Sequence, residues 1–158
     1  MDSVYIESTI PSYLTARVSR SEGLEKDQKL TRLWWDTHRG RFRVYTSSFT
    51  LKEIAKGDSE AAALRLDKLK TIKSLTITPE VEHHGFQIGK ALQLPPKAML
   101  DAFHVATCVV HQVDYLLTWN CTHLANPVLQ KQLIEYCRIR DLHVPVICTP
   151  EELMRTSR

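Results

Sequence analysis

Ser3-Val4-Tyr5-Ile6-Glu7-Ser8-Thr9-Ile10-Pro11-Ser12-Tyr13-Leu14 opens with a short apolar, β-prone run, closes it with an acid, and then begins a helix. Ser3–Glu7 reads as a strand. Thr9 and Pro11 supply helix-start chemistry for a short helix through about Arg17. The same alternation continues along the chain. Residues 22–39 are rich in helix formers, with Leu30, Leu33 and Trp34 at helical spacing. Phe42–Thr46 reads as a second strand, and Ser47 or Ser48 can cap a helix over Phe49–Lys56 that Gly57 ends. A helix over Ser59–Lys73 carries Ala62, Leu66 and Leu69 on one stripe. Leu75–Ile77 is then a third strand, and Pro79 opens the next helix. Leu94-Pro95-Pro96 breaks the chain before an apolar helix over Lys97–His111. Tyr115–Thr118 is a fourth strand, Trp119–Pro127 a loop, and a helix runs on to about Arg140. Val144–Cys148 is a fifth strand, and Pro150 begins a last helical turn. Strands separated by helices are βαβ units, so the chain is expected to be α/β with a mainly parallel sheet of about five strands. Ligands of such sheets bind beyond the carboxyl ends of the strands.

The 158-residue length fits one domain, residues 1–158, with room for a hydrophobic core. Hydrophobic residues at 43% and charged residues at 25% fit a soluble globular chain and argue against disorder. No apolar run approaches the roughly 20 residues that span a bilayer, so no membrane partner is expected. The first residues lack the basic and apolar regions of a secretory signal, which favours a cytoplasmic location. Cys108, Cys121, Cys137 and Cys148 are scattered, include no C-x-x-C pair, and read as free thiols rather than zinc ligands. The net charge of +3 and pI of about 8.7 permit a polyanion partner without requiring one. Arg39, Arg41 and Arg43, and Lys68, Lys70 and Lys73, read as solvated faces. The absence of a G-x-G-x-x-G or Walker-type loop argues against dinucleotide and P-loop chemistry.

Three acids stand out. Glu7 ends a buried strand, where an ordinary role would be to cap the following helix. Glu53 follows the second strand in Phe49-Thr50-Leu51-Lys52-Glu53-Ile54, where the ordinary role of a helical glutamate is solvated. Asp101 lies in Ala98-Met99-Leu100-Asp101-Ala102-Phe103-His104-Val105-Ala106, and a carboxylate in so apolar a helix needs a partner. His104, three residues on, is one such partner, and an Asp101–His104 pair is the structural alternative to a site. Carboxylates gathered in one cleft repel one another unless a cation neutralises them. All-oxygen donors suit Mg²⁺ or Mn²⁺. Such an ion polarises phosphoryl oxygens and acidifies an attacking water.

In order, Tyr5-Ile6-Glu7-Ser8-Thr9-Ile10-Pro11, Ser47-Ser48-Phe49-Thr50-Leu51-Lys52-Glu53-Ile54, Asp101-Ala102-Phe103-His104-Val105-Ala106 and Leu116-Leu117-Thr118-Trp119-Asn120 resemble the four motifs of PIN-domain proteins of the VapC toxin type. The resemblance covers nearly the whole chain. It implies a three-layer α/β/α domain and a Mg²⁺- or Mn²⁺-dependent endoribonuclease acting on RNA as the toxin of a toxin–antitoxin pair. It also implies an antitoxin protein as partner and a homodimer. It implies Glu7, Glu53 and Asp101 as metal ligands and, with Asn120, as the catalytic set. Two positions depart from the family. Glu7 stands where aspartate is commoner. Asn120 and His123 stand where a fourth acid is expected, which leaves open one ion or two, and full or reduced activity. His123 otherwise reads as a loop residue without a role, and Trp119 as a packing residue. The alternative reading is a PIN-like RNA- or protein-binding module with weak or no catalysis. A phosphoacceptor receiver domain fits badly, because no acidic pair follows the first strand.

Overall fold

Val4, Tyr5 and Ile6 are completely buried. The strand they form, β1 (Ser3–Ile6), is the centre of the sheet in the computed structural model, which describes residues 1–156. β2 (Arg43–Ser47) and β4 (Tyr115–Leu117) flank it, and β3 (Lys73–Leu75) and β5 (Val146–Cys148) form the edges. The order is β3-β2-β1-β4-β5, and every pairing is parallel. The fold is therefore α/β with a five-stranded parallel sheet flanked by helices, as expected.

Successive strand residues face opposite sides of a sheet, and here each side has its own core. Tyr5, Leu116 and Ile147 pack with α5 (Pro79–Ala91), α6 (Met99–Val110) and α7 (Pro127–Ile139). Val4, Ile6, Leu117 and Cys148 turn the other way. They meet α1 (Thr9–Thr15), α2 (Glu22–Thr37), α3 (Ser48–Ile54), α4 (Ser59–Leu69) and α8 (Pro150–Thr156). Several helices begin on a side chain that takes up a free N–H. Ser47 accepts from Phe49, Asp58 from Ala61, Thr78 from Val81, and Asn126 from Val128 and Leu129. Each cap contributes about 1 kcal/mol.

Several boundaries differ from the sequence expectation. The third strand is Lys73–Leu75 rather than Leu75–Ile77, because pairing of Ser47 with Leu75 sets its register on β2. The helix expected over Ser59–Lys73 stops at Leu69, since Lys73 is needed in that strand. Val144 lies before the fifth strand, which starts at Val146. The apolar helix expected from Lys97 begins with a 3₁₀ turn, Pro96–Ala98, and becomes α-helical only at Met99. Asp101 therefore occupies the first helical turn and not the helix interior, and there the helix N-terminus favours negative charge. Leu33 is half exposed; α2 buries Thr31, Trp34 and Trp35 instead. The cysteines are free thiols. No helix among the described residues is long and apolar enough to cross a membrane.

α5 and α6 cross closely because Gly85 and Gly89 carry no side chain. A Cβ at Gly85 would overlap the Phe103 ring, which already packs between Phe49 and Phe86. A Cβ at Gly89 would meet the flexible end of Met99. Gly85→Ala is expected to destabilise the protein by about 1–3 kcal/mol through overpacking. That outweighs the roughly 1 kcal/mol gain in helix propensity. Gly89→Ala should cost much less, because a thioether rotates away. Urea unfolding of both variants checks this, and equal losses would contradict the packing described.

Candidate functional site

After β3 the chain crosses to the other side of β1, so the carboxyl ends of β1 and β4 form the topological switch point of the sheet. Glu7 leaves β1 there and Thr118 leaves β4. The Glu7 N–H still donates to the Leu117 carbonyl at 3.3 Å. Glu7 is 4% exposed, so its charge must be met by donors. Its Oε1 accepts from the Thr9 N–H (2.9 Å), the Thr9 hydroxyl (2.6 Å) and the Thr118 hydroxyl (2.7 Å). The two hydroxyls in turn accept the backbone N–H groups of Trp119 and Asn120. One carboxylate thus ties the start of α1 to the loop after β4. Glu7 thereby takes up one free N–H in the first turn of α1.

Glu53 comes from α3, directly after β2. Its Oε1 accepts from the Ser8 hydroxyl at 2.5 Å and lies 2.7 Å from His104 Nε2. Burial raises its pKa, but the hydrogen bond and charge of His104, the Ser8 bond and the Lys56 charge outweigh that, and the carboxyl sits below its ordinary range. With Glu53 ionised, Nε2 of His104 carries the proton and donates. Nδ1 is then 2.6 Å from the Tyr5 hydroxyl, which also shares a 2.6 Å hydrogen bond with Ser47 and lies 3.3 Å from Thr50. Both Tyr5 and His104 are fully buried. Burial pushes the Tyr5 phenol up, so it keeps its proton.

Asp101 approaches from α6. Burial, opposed by the His104 charge and reinforced by the charges of Glu7 and Glu53, raises its pKa to about 6. Asn120 Nδ2 donates to its Oδ2 at 3.3 Å, and His123 Nδ1 lies 3.8 Å away. Asn120 also accepts the His123 N–H through Oδ1, which closes the loop after β4. Trp119 is held by packing: its indole N–H donates to Thr31 and its ring stacks on Tyr13 at 5.8 Å.

Ligand-type atoms of Glu7, Glu53 and His104 lie within 4.8 Å of one another. His104 has both ring nitrogens engaged, so the free donors of this group are carboxylate oxygens, a set that fits a hard divalent cation. Asp101 stands outside this tightest group, yet feels both charges. His104 answers Glu53 and not Asp101, so the Asp101–His104 pair considered from sequence does not form. The roles of His104, Tyr5, Ser8 and Thr118 were not read from the sequence. The order of the motifs was legible, but these contacts join residues 42 to 111 positions apart. The basic clusters lie elsewhere. Arg43 pairs alongside Ser3, at the opposite edge of the sheet, and Arg39 stacks on Trp35.

The Asp101 carboxyl fixes a pH dependence. A carboxyl whose folded pKa is raised contributes stability that is complete below its unfolded pKa, about 4, and is lost as pH rises through the folded value. In chelator, wild-type stability relative to Asp101→Asn is expected to fall between about pH 4 and pH 7, by on the order of 3 kcal/mol. Denaturant unfolding across that range checks it. A difference that is flat with pH, or that grows, would contradict the crowding.

No family model matches this sequence, and no curated protein matches it. Among solved structures the chain is similar to one from the crystal structure of VapBC2 from Rickettsia felis bound to a DNA fragment from their promoter. The TM-score is 0.53 at 10% identity, over 92% of this chain and 97% of that one. At that identity the likeness is one of fold, and the fold is PIN-like.

Proposed function

We propose that this protein is a divalent-metal-dependent endoribonuclease that hydrolyses RNA phosphodiester bonds, with Glu7, Glu53 and Asp101 as ligands of Mg²⁺ or Mn²⁺. The observation that carries the reading is the approach of Glu7 and Glu53, whose ligand atoms with those of His104 lie within 4.8 Å of one another at the switch point of the sheet, with Asp101 near enough to feel both charges. Crowded carboxylates raise one another's pKa, and a cation relieves that cost. When bound, a divalent ion supplies Lewis acidity toward the phosphoryl oxygen and acidifies a water. The chain's own groups then divide the remaining work. Glu7 is fixed by three donors to one oxygen, and Glu53 is held ionised by His104 and Ser8. Burial holds the Asp101 carboxyl up at about 6, so cation binding is expected to tighten as pH rises through that value. Asn120, at the position of the expected fourth acid, orients Asp101 and adds no charge. Exposed Lys52 on α3 and Lys56 just after it favour the approach of a polyanion beside Glu53.

The sequence resemblance and the fold likeness support a toxin of a toxin–antitoxin pair, with an antitoxin protein as partner and a homodimer as the working form. The second reading, a PIN-like binding module without catalysis, draws on Asn120, whose amide is spent on Asp101 and its own loop.

Purified protein is expected to cut single-stranded RNA in Mn²⁺ or Mg²⁺ and to stop in EDTA. Asp101→Asn and Glu7→Gln should each reduce cleavage to background while the fold is retained. Gel analysis of a labelled RNA checks this. Cleavage that survives EDTA, or full activity in either variant, contradicts the metal site. An inactive wild type that still binds RNA favours the module.

A further inference from the structure

His104 is a candidate metal ligand by proximity alone, yet its surroundings give it another task. It is wholly buried on α6, its Nε2 lies 2.7 Å from Glu53 Oε1, and its Nδ1 lies 2.6 Å from the Tyr5 hydroxyl. Tyr5 sits in the middle of the central strand and is itself anchored by Ser47 and Thr50, at the junction of β2 and α3. The contacts form one continuous path, from Ser47 through Tyr5 and His104 to Glu53, and back to Ser8 beside Glu7. Coordination by His104 would require a lone pair on nitrogen. Nε2 has none while it donates to Glu53, and Nδ1 points at a hydroxyl inside the core.

We infer that Tyr5 and His104 form a buried clamp that presets the orientation of Glu53 for a divalent cation, and that His104 stays outside the coordination sphere as a positioning residue. This rests on the metal-dependent reading above and adds to it the residues that set cation affinity. Glu53 reaches the cleft from a short helix, and a glutamate has three rotatable bonds to fix. Ser8 holds one oxygen from the cleft side and His104 holds the same oxygen from the core side. That leaves Oε2 with no hydrogen bond from either, oriented by the bonds made to its neighbour. Loss of an outer partner of a ligating carboxylate costs metal affinity about 10–100-fold.

The test is Mn²⁺ titration of the full chain followed by electron paramagnetic resonance, with RNA cleavage measured on the same samples. His104→Phe keeps the bulk and removes the donor. His104→Gln returns an N–H donor near the Nε2 position. Tyr5→Phe removes one hydroxyl that touches no carboxylate. Expected are an affinity loss of about 10–100-fold in His104→Phe, recovery of most of it in His104→Gln, and an intermediate loss in Tyr5→Phe. No nitrogen coupling should appear in the Mn²⁺ spectrum. Wild-type affinity in Tyr5→Phe and His104→Phe overturns the clamp, as does a directly bound nitrogen, or His104→Gln binding as poorly as His104→Phe. If His104→Phe does not fold, Tyr5→Phe and His104→Gln decide by the same criteria. Wild-type protein that binds Mn²⁺ but cuts no RNA removes the nuclease reading and leaves the clamp to be judged on affinity. Wild-type protein that binds no Mn²⁺ removes both.

Discussion

Glu7 is a carboxylate held 4% exposed at the end of the central strand, and the arrangement around it follows from the need to satisfy that charge. Its three donors come from the first turn of α1 and the end of β4. Through the Thr9 and Thr118 hydroxyls the same oxygen organises the backbone of Trp119 and Asn120. Glu53 and Asp101 are then placed against a charge already fixed. Each meets it differently. Glu53 is kept ionised by His104, while Asp101 is driven toward its neutral form by burial and by the other two acids. A folded core would not gather three acids for its own stability, since each added charge opposes the others. The cost is intelligible if a cation completes the set.

The sheet and the site share one cause. Reversal of strand order at β1 opens a crevice beyond its carboxyl end. Parallel strands put every strand-to-helix junction on that edge, so residues following β1, β2 and β4 converge without any one loop being long. The opposite edge receives Arg39 and Arg43, which explains why basic residues adjacent in sequence to the second strand contribute nothing to the cleft.

Much of this was legible in the sequence. The central strand was readable because Val4, Tyr5 and Ile6 are apolar in succession, as a strand buried on both faces requires. Glu7 and Asp101 stood out because one ends a buried strand and the other lies in an apolar helix, where an unpaired charge is costly, whereas Glu53 looked like a solvated helical residue and stood out only through the resemblance of its motif. The third strand was misplaced by two residues because Leu75 and Ile77 both pack on the core, and only pairing with β2 selects Lys73–Leu75. The alternative partner considered for Asp101, His104, turned out to serve another residue. Spacing along a helix put it beside Asp101, but its ring nitrogens reach Tyr5 and Glu53, which are 99 and 51 positions away. Hydrogen-bond direction across the core is a tertiary property, and local periodicity does not carry it. Tyr5 likewise looked like an ordinary strand residue, since nothing in its neighbours announces a buried hydroxyl with three partners.

The central claim is that carboxylate oxygens of Glu7, Glu53 and Asp101 hold one hard divalent cation while His104 does not. Anomalous diffraction from crystals grown with Mn²⁺ tests it most directly. The expected result is a single strong peak at the carboxyl end of β1, with oxygens of these acids bonded directly to it and the Tyr5–His104–Glu53 contacts retained. A peak bonded to a His104 nitrogen, or no peak between the three acids at saturating Mn²⁺, would contradict it.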